Sequence, residues 1–275
     1  MNSTDDWYDV EAIGDGSYRI AEGVIFGSYL LVGDERALLI DAGAGVGDLR
    51  GLIDGMVDVP VTLLASHAHW DHVGNAAQFD DVVADERERD GDRLVPSGLA
   101  YGPADWVADW KAAGNSFPDG FDPGTFDVEP TTGVGTVSPG ETIDLGRREL
   151  ELFHVPGHSP GQLAVLDREA AALYGADVVH NDHGLYVHFE GCDVRDYVDT
   201  FDRLIELRED GGFETLYLSH ARALAGDDLS LLEAFRDGLE AALDGELDYE
   251  PIDEGVPARE YEIAGKTVLT KPDIE

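Results

Sequence analysis

The chain has 275 residues, of which 43% are hydrophobic and 9% are aromatic, so it can bury a core and global disorder is excluded. Asp and Glu number 58 against 18 Lys and Arg, a formal net charge of −40, which argues against a nucleic-acid partner because phosphates need a basic face. The single cysteine, Cys192, excludes an internal disulfide and a thiolate-rich metal site.

The start of the chain and its hydropathy predict a cytoplasmic protein. Residues 1–16 are acidic and lack the positive region and apolar stretch of a secretory signal. No apolar run approaches the ~20 residues that a membrane-spanning helix needs, so we expect no membrane association. Acid spread over every segment predicts a halophilic protein, since at molar salt the Debye length falls to ~3 Å and self-repulsion is screened. The sequence does not indicate an oligomeric state.

The first part of the chain alternates predicted strands and turns. Apolar and β-branched runs separated by glycines predict strands at 18–20, 24–32 and 37–40. Apolar residues at helical spacing predict a helix over 48–56. Residues 61–65 form a short, wholly apolar run, which is typical of a strand buried on both faces.

A cluster of histidines follows this last strand directly, in the segment SHAHWDH that begins at Ser66. Residues two apart on an extended segment point the same way, so His67 and His69 can converge on one cation. Asp71 and His72 turn away from that pair and can reach a second ion. Imidazole and carboxylate ligands suit zinc, iron or manganese. A single histidine is more often a core residue than a ligand, but this clustering favours a metal site.

Residues 85–137 are rich in charge, Gly, Pro and aromatic side chains and lack a clear period, which predicts an irregular insertion or lid over a small substrate. An equally weighted alternative is that Tyr101, Trp106 and Trp110 lie on one small helix that packs on the body.

Regular patterns resume after this segment. We predict strands at 149–155, 162–167, 171–174 and 215–219, helices at 193–208 and 227–243, and a closing hairpin at 261–269. His154 and His180 are assigned to strand faces. No repeat or low-complexity linker interrupts the chain, so we expect a single domain over residues 1–275.

The histidine cluster resembles the signature of the metallo-β-lactamase superfamily, and the rest of that family's pattern follows in order. Its members here are Asp41 in LIDAG (39–43), His158 in PGHSPG (156–161), Asp177 in YGAD (174–177) and His220 in LSH (218–220). The resemblance implies an α/β fold, a four-layer αββα sandwich with metals at one edge. It implies that His67, His69 and His158 hold one metal, that Asp71, His72 and His220 hold a second, and that Asp177 lies between them. Asp41 would not bind a metal itself but would lie next to these ligands and support them.

The resemblance implies a dinuclear metallo-hydrolase. Two divalent ions, Zn²⁺ first with Fe or Mn as alternatives, would activate a hydroxide that attacks an ester, lactone or thioester of a small molecule. Asp71 would be catalytic by orienting that hydroxide. His183, Tyr186 and His188 follow Asp177 and are candidates for substrate contact or proton donation.

Several alternatives stay open at this point. A phosphodiesterase or sulfate-ester hydrolase of the same fold, a mononuclear iron persulfide dioxygenase and a non-catalytic binding module are all considered. The chain departs from glyoxalase II, which usually shows two glycines in the segment where Val73-Gly74-Asn75 stands and often another histidine where Gln162 stands. The substrate therefore cannot be named from these motifs.

Overall fold

The computed structural model describes residues 7–23, 26–180, 184–253 and 255–274, so the predicted strand positions 24–25 and the candidate His183 lie outside the described residues. The chain forms two units, residues 1–149 and 150–275, each with its own hydrophobic core. In the described part of the chain, no helix is both long and apolar enough to cross a bilayer. A single domain over the whole chain stays a prediction.

The main sheet of the first unit is antiparallel at one side and parallel at the other. The strands of this unit are β1 (Tyr8–Gly14), β2 (Ser17–Glu22), β3 (Phe26–Val32), β4 (Ala37–Ile40), β5 (Val61–Leu64), β6 (Val82–Ala84), β7 (Arg89–Asp90), β8 (Arg93–Leu94), β9 (Thr131–Thr132), β10 (Gly135–Thr136) and β11 (Thr142–Asp144). The main sheet has the order β1-β2-β3-β4-β5-β6-β10, antiparallel up to β4 and parallel from there on. A small second sheet has the order β7-β8-β9.

The parallel strands β4 and β5 determine where polar side chains can gather. All four residues of β4 are buried, as are the last two of β5, in agreement with their apolar sequences. Ile40 lies opposite Leu64 in the parallel register, so both strands end at the same edge of the sheet. Asp41 follows one strand and Ser66 follows the other. This edge therefore receives the predicted histidine cluster.

Three helices complete the first unit: α1 (Leu49–Met56), α2 (Trp70–Val73) and α3 (Pro103–Ala112). Helix α1 matches the predicted helix; Asp48 caps it by accepting a hydrogen bond from the Gly51 N–H at 2.9 Å, and Leu49 and Ile53 bury its apolar face. Short 3₁₀ turns lie at Ala76–Gln78, Glu86–Glu88 and Leu99–Tyr101.

Residues 85–137 are more regular than the predicted irregular insertion, because apolar and aromatic side chains anchor them to the core. Of the two sequence interpretations, the small helix is confirmed for Trp106 and Trp110, which lie on α3, and is wrong for Tyr101, which belongs to the preceding 3₁₀ turn. Trp106 is 3% exposed. Its indole lies 5.4 Å from the Phe26 ring and 6.0 Å from the Trp70 ring, between ring centroids. A lid function for this segment stays a prediction.

The second unit builds two more sheets. Its strands are β12 (Glu149–His154), β13 (Leu163–Asp167), β14 (Ala172–Tyr174), β15 (Leu185–Val187), β16 (Thr215–Tyr217), β17 (Leu224–Ala225), β18 (Glu250–Ile252), β19 (Ala258–Ile263) and β20 (Lys266–Thr270). The strands of this unit have the order β12-β13-β14-β16-β17 in one sheet and β15-β20-β19-β18 in the other, which includes the predicted hairpin. Because β14 and β16 are parallel, the loops that follow both strands lie at one edge. The loop between β12 and β13 lies at the same edge, since β13 is antiparallel to β12 and β14.

Helices α4 (Val194–Glu209) and α5 (Leu231–Leu243) pack against each other, with Phe201 and Phe235 stacked at 6.1 Å between ring centroids. The predicted helix at 193–208 is confirmed: Asp193 is its cap and accepts hydrogen bonds from the backbone N–H groups of Arg195 and Asp196. The helix predicted over 227–243 is wrong in its first turn, where a 3₁₀ helix (Gly226–Ser230) precedes α5.

Candidate metal centre

In the first unit, the segment from Ser66 to His72, here called the histidine loop, follows the end of β5 and brings three imidazoles together. His67, His69 and His72 are all buried. The His67 ring centroid lies 4.6 Å from that of His69 and 4.1 Å from that of His72. Three imidazoles packed this closely are unusual in an apolar core and are typical of a metal site. The convergence of His67 and His69 agrees with the spacing argument.

Asp41 joins the end of β4 to this loop. One carboxylate oxygen accepts a hydrogen bond from the Ser66 N–H at 2.7 Å, and the other accepts from the Ser66 hydroxyl at 2.8 Å. The second oxygen also lies 2.7 Å from Nδ1 of His72, which directs Nε2 of that ring away from Asp41. The residue adopts a φ of 62°, which aspartate tolerates better than most residues. Asp41 thus orients a histidine, as expected of a carboxylate behind a metal ligand.

Asp71 occupies the first turn of α2 and is less buried than the histidines. Its side chain is 17% exposed, and Oδ2 lies 3.9 Å from Nε2 of His72. The carboxylate can therefore approach both a cation and a solvent molecule. Its assigned catalytic role stays a proposal.

The segment around residues 85–98 supports the histidine loop, a role that the sequence did not reveal. The buried Glu88 accepts a hydrogen bond from the Ala68 N–H at 2.9 Å. Ser97 donates its N–H to the Ala68 carbonyl at 2.7 Å, and its carbonyl accepts from the Trp70 N–H at 3.1 Å. Gly98 lies against the His69 ring: a Cβ there would be 2.8 Å from Cδ2 of the imidazole.

A second polar cluster lies in the second unit, at the edge defined by β13, β14 and β16. We call His158, Asp177, His180 and His220 the Asp177 cluster. Oδ2 of Asp177 lies 3.6, 3.3 and 3.2 Å from the Nε2 atoms of His158, His180 and His220, respectively. His158, Asp177 and His180 are buried, and the His220 side chain is 12% exposed. The predicted ligands of this unit therefore lie together.

The backbone of this cluster is held from helix α4 and its amino-terminal flank. The Tyr197 hydroxyl donates to the Asp177 carbonyl at 3.2 Å. The Cys192 thiol donates to the His158 carbonyl at 3.0 Å, and burial raises the pKa of that thiol to about 12, which keeps it a donor. Thr200 donates to the Pro156 carbonyl at 2.7 Å. Sequence reasoning missed these supports because nothing in their spacing distinguishes them from core residues.

The assignment of His180 to a strand face is wrong. It forms only an isolated bridge with Gly184, in the loop after Asp177, where the backbone turns its ring toward the carboxylate. The spacing of three residues from Asp177 was the available signal. His154, in contrast, lies on β12, where its Nε2 is 2.9 Å from the Pro160 carbonyl oxygen.

Of the two described candidates for proton donation, Tyr186 contacts His180, and His188 contacts Tyr186. Tyr186 lies on β15 with its ring centroid 5.2 Å from that of His180, and burial raises the pKa of its hydroxyl. His188 follows with its ring 6.0 Å from Tyr186 and 4.1 Å from Phe189, and burial lowers the pKa of its imidazole. The lowered pKa favours the neutral form of this imidazole.

The donor set fits a divalent metal. Two ligands of a tetrahedral zinc, each about 2.0–2.2 Å from the ion, stand about 3.3–3.6 Å apart. The separations of 3.6 Å and 3.2 Å from Asp177 to His158 and His220 lie at or near this range. Imidazole and carboxylate also suit iron and manganese, so the donors do not select one metal.

The chain is similar in sequence to one protein family and to several named relatives. Residues 27–211 match the family model described as the metallo-beta-lactamase superfamily. A protein named acyl-coenzyme A thioesterase MBLAC2 from Homo sapiens is 29% identical over 241 residues, which cover 82% of this chain and 85% of the relative. The protein of the same name from Gallus gallus is 31% identical over 229 residues, covering 78% and 81%.

Solved structures agree in fold. A metallo-beta-lactamase family protein from Thermus thermophilus has a TM-score of 0.59 at 21% identity and covers 87% of this chain and 85% of its own. A metallo-beta-lactamase from Pontibacter korlensis has a TM-score of 0.53 at 18% identity, covering 85% and 99%. These similarities confirm the predicted α/β fold class of the metallo-β-lactamase type, and the sequence relatives support a hydrolase.

Proposed function

The chain belongs to the metallo-β-lactamase superfamily, and we propose that it is a metal-dependent hydrolase of acyl-coenzyme A thioesters. The observation that carries this proposal is the similarity, along about four fifths of the chain, to relatives named acyl-coenzyme A thioesterase. The sequence predicted an ester, a lactone or a thioester as substrate, and among these three the similarity favours the thioester. The partner is then a small molecule.

We further propose a centre of two divalent ions, with zinc as the first candidate and iron or manganese as the alternatives. One ion would be held by His67, His69 and His158, the other by Asp71, His72 and His220, with Asp177 between them. Support comes from the order of these residues along the chain, which follows the family pattern, from the close packing of the imidazoles in the histidine loop and from the ligand-like separations within the Asp177 cluster. Both sets of donors are present, which favours two ions over the single iron of a persulfide dioxygenase.

The chemistry of thioester hydrolysis suggests roles for Asp71, Tyr186 and His188. Bound metal would lower the pKa of a water molecule and stabilise negative charge on the carbonyl oxygen. Asp71, partly exposed beside His72, would orient that water by accepting a hydrogen bond from it. A thiol is much more acidic than an alcohol, with a pKa of about 8.5 for cysteine, so the departure of a thiolate needs little protonation. Tyr186 and His188 then contact the substrate rather than deliver a proton.

Hydrolysis of acyl-coenzyme A esters of graded chain length tests this proposal, with the released thiol measured by a colorimetric reagent. The protein is purified in molar KCl, stripped with chelator and reloaded with Zn²⁺. We expect thiol release only after reloading. His69→Ala and Asp71→Ala should reduce it to background while circular dichroism in high salt is unchanged. Asp58→Ala removes an exposed acid before β5 and should retain activity.

The alternative reactions are tested on the same purified, metal-loaded protein with other substrates. A loaded enzyme that cleaves bis-p-nitrophenyl phosphate, a sulfate ester or a lactone but no thioester would place the substrate in another class. Oxygen uptake with a persulfide at one iron per chain would favour the oxygenase. Full thioesterase activity in His69→Ala or Asp71→Ala would mean that the site lies elsewhere.

A further inference from the structure

His180 is a buried polar residue that the seven-residue ligand set does not use. It is 7% exposed, and its backbone is fixed by a pair of hydrogen bonds with Gly184, at 3.1 Å and 2.6 Å. Its ring is stacked on that of His220, with centroids 5.2 Å apart and an angle of 22°, and meets the Tyr186 ring edge-on at 5.2 Å. These contacts direct Nε2 toward Asp177.

The contact between His180 and Asp177 has the geometry of shared ligation. Nε2 of His180 lies 3.3 Å from Oδ2 of Asp177, yet among the described residues it has no hydrogen-bond partner. Leaving an imidazole nitrogen buried without a partner is unfavourable. A separation of about 3.3 Å is the distance expected between two ligands of one tetrahedral cation. A shared cation would satisfy both groups.

We propose that His180 is an eighth residue of the metal site, which joins His158 and Asp177 as a donor for one divalent cation. The ligand atoms of these three residues all lie within 4.8 Å of one another. All three belong to the second unit, so this triad needs no residue of the histidine loop. The inference rests on the metal site of the proposed function and is independent of its substrate. Its consequence is a tighter hold on the cation beside Asp177.

Metal binding by the full chain tests this role without reference to activity. Wild type, His180→Ala and His180→Gln are stripped in molar KCl and titrated with Zn²⁺ against a competing chelator dye, and with Co²⁺ by visible absorption. We expect at least one binding step to weaken about tenfold or more in both variants. The cobalt absorption should change in shape and intensity, because it reports the number of nitrogen ligands.

His188→Ala is the matched control. It removes an imidazole from the same segment, whose described ring contacts are with Tyr186 and Phe189, and should leave zinc affinity and the cobalt spectrum unchanged. His180→Gln keeps a polar side chain of similar length, so it decides the question if circular dichroism shows that His180→Ala does not fold.

Each result separates this inference from the proposed function. Wild-type affinity and spectrum in a folded His180 variant overturn the role of His180 and leave the thioesterase proposal standing. Weakened binding in the variants, with no thioester cleaved by the loaded wild type, supports the role of His180 and contradicts the substrate. A wild-type chain that binds no divalent metal overturns both.

Discussion

The carboxylate of Asp41 holds two residues of the histidine loop at once, which makes a conservative substitution informative. Asparagine has one acceptor oxygen where aspartate has two, so Asp41→Asn leaves Ser66 or His72 without its acceptor. In the second case the His72 ring loses the contact with Asp41 that orients it. We expect metal affinity to fall about 10- to 100-fold, measured by titration against a competing chelator.

Asp167→Asn is the control for this substitution. Asp167 is also buried, but it lies at the opposite end of β13 and caps a turn by accepting from the Ala170 N–H at 3.0 Å. The Asp167→Asn substitution removes the same negative charge as Asp41→Asn, but far from the sheet edge that carries His158. An equal loss of metal affinity in both variants would trace the effect to general destabilisation and contradict the role given to Asp41.

Glu22 is a second buried carboxylate with a structural role. It accepts hydrogen bonds from the Trp7 indole and from the four backbone N–H groups of residues 44–47, at 2.7 to 3.3 Å. Burial raises its pKa, and these donors oppose that shift. Glu22→Gln turns an amide donor toward N–H groups, so we expect a loss of about 2–3 kcal/mol in unfolding free energy, measured by denaturant titration in molar KCl.

The matched variant for Glu22 is Glu11→Gln, at an exposed position of β1. It makes the same charge change in a strongly acidic protein, where losing one negative charge by itself relieves repulsion. Its stability should equal or slightly exceed that of the wild type. If Glu22→Gln has the same free energy of unfolding as Glu11→Gln, the hydrogen bonds from residues 44–47 to Glu22 contribute no net stability.

At the scale of elements, helix α4 and the loop before His158 meet at Gly157. This glycine has a φ of +131°, and a Cβ there would lie 2.5 Å from Cγ of Tyr197. Gly157→Ala must displace either the loop or the helix, both of which position the Asp177 cluster. We expect it to lower metal affinity as well as stability, measured by chelator competition and by denaturant titration in high salt.

Gly211→Ala separates backbone strain from steric clash. Gly211 follows α4 with a φ of +76°, and no described atom lies within 4 Å of a Cβ added there. This variant should lose only the about 1–2 kcal/mol that a left-handed conformation imposes on alanine, and should bind metal normally. Wild-type metal affinity in Gly157→Ala would show that the clash is absorbed without moving His158.

The elements that the sequence predicted well are those whose burial follows a simple period. Strand β5 is an uninterrupted apolar run, so its end, and with it the start of the histidine loop, could be located from the residues alone. Strand β1 was missed because most of its residues are exposed, and backbone pairing with β2 leaves no hydrophobic pattern. Helix α3 was left as one of two alternatives because its buried face rests on few residues, chiefly Trp106.

The same reasoning explains the outcome for the site. Histidines 67 and 69 are two apart on an extended segment, so their convergence could be predicted from strand geometry. The approach of the His72 ring to His67 depends on the turn into α2 and was not predicted, since His72 was expected to turn away. The support from Glu88, Ser97 and Cys192 depends on loops that bring distant residues together, and local periodicity carries no such information. The assignment of His180 to a strand face is wrong for a related reason: β14 ends at Tyr174, and the loop that follows it carries both Asp177 and His180.

For the whole molecule, the net charge of −40 predicts that folding depends on salt. At tens of millimolar salt the Debye length exceeds about 10 Å and the acidic surface repels itself, whereas molar salt reduces it to ~3 Å. We expect the far-ultraviolet circular dichroism of the folded chain to be lost on dialysis from 2 M to 20 mM KCl. Sucrose, which favours burial without screening charge, should not restore it. An unchanged spectrum at 20 mM KCl would remove the prediction of a halophilic protein.

The same charge should act on the proposed substrate. An acyl-coenzyme A ester carries several negative phosphate charges, so the acidic protein repels it, and the repulsion weakens as salt is raised. Within the salt range where circular dichroism is constant, we expect KM for acetyl-coenzyme A to fall roughly tenfold, while kcat changes little. The thioester of N-acetylcysteamine has the same reacting bond and no phosphate, so its KM should stay constant. A parallel fall for both thioesters would place the salt effect in the protein's own conformation, because only the phosphates distinguish the two substrates electrostatically.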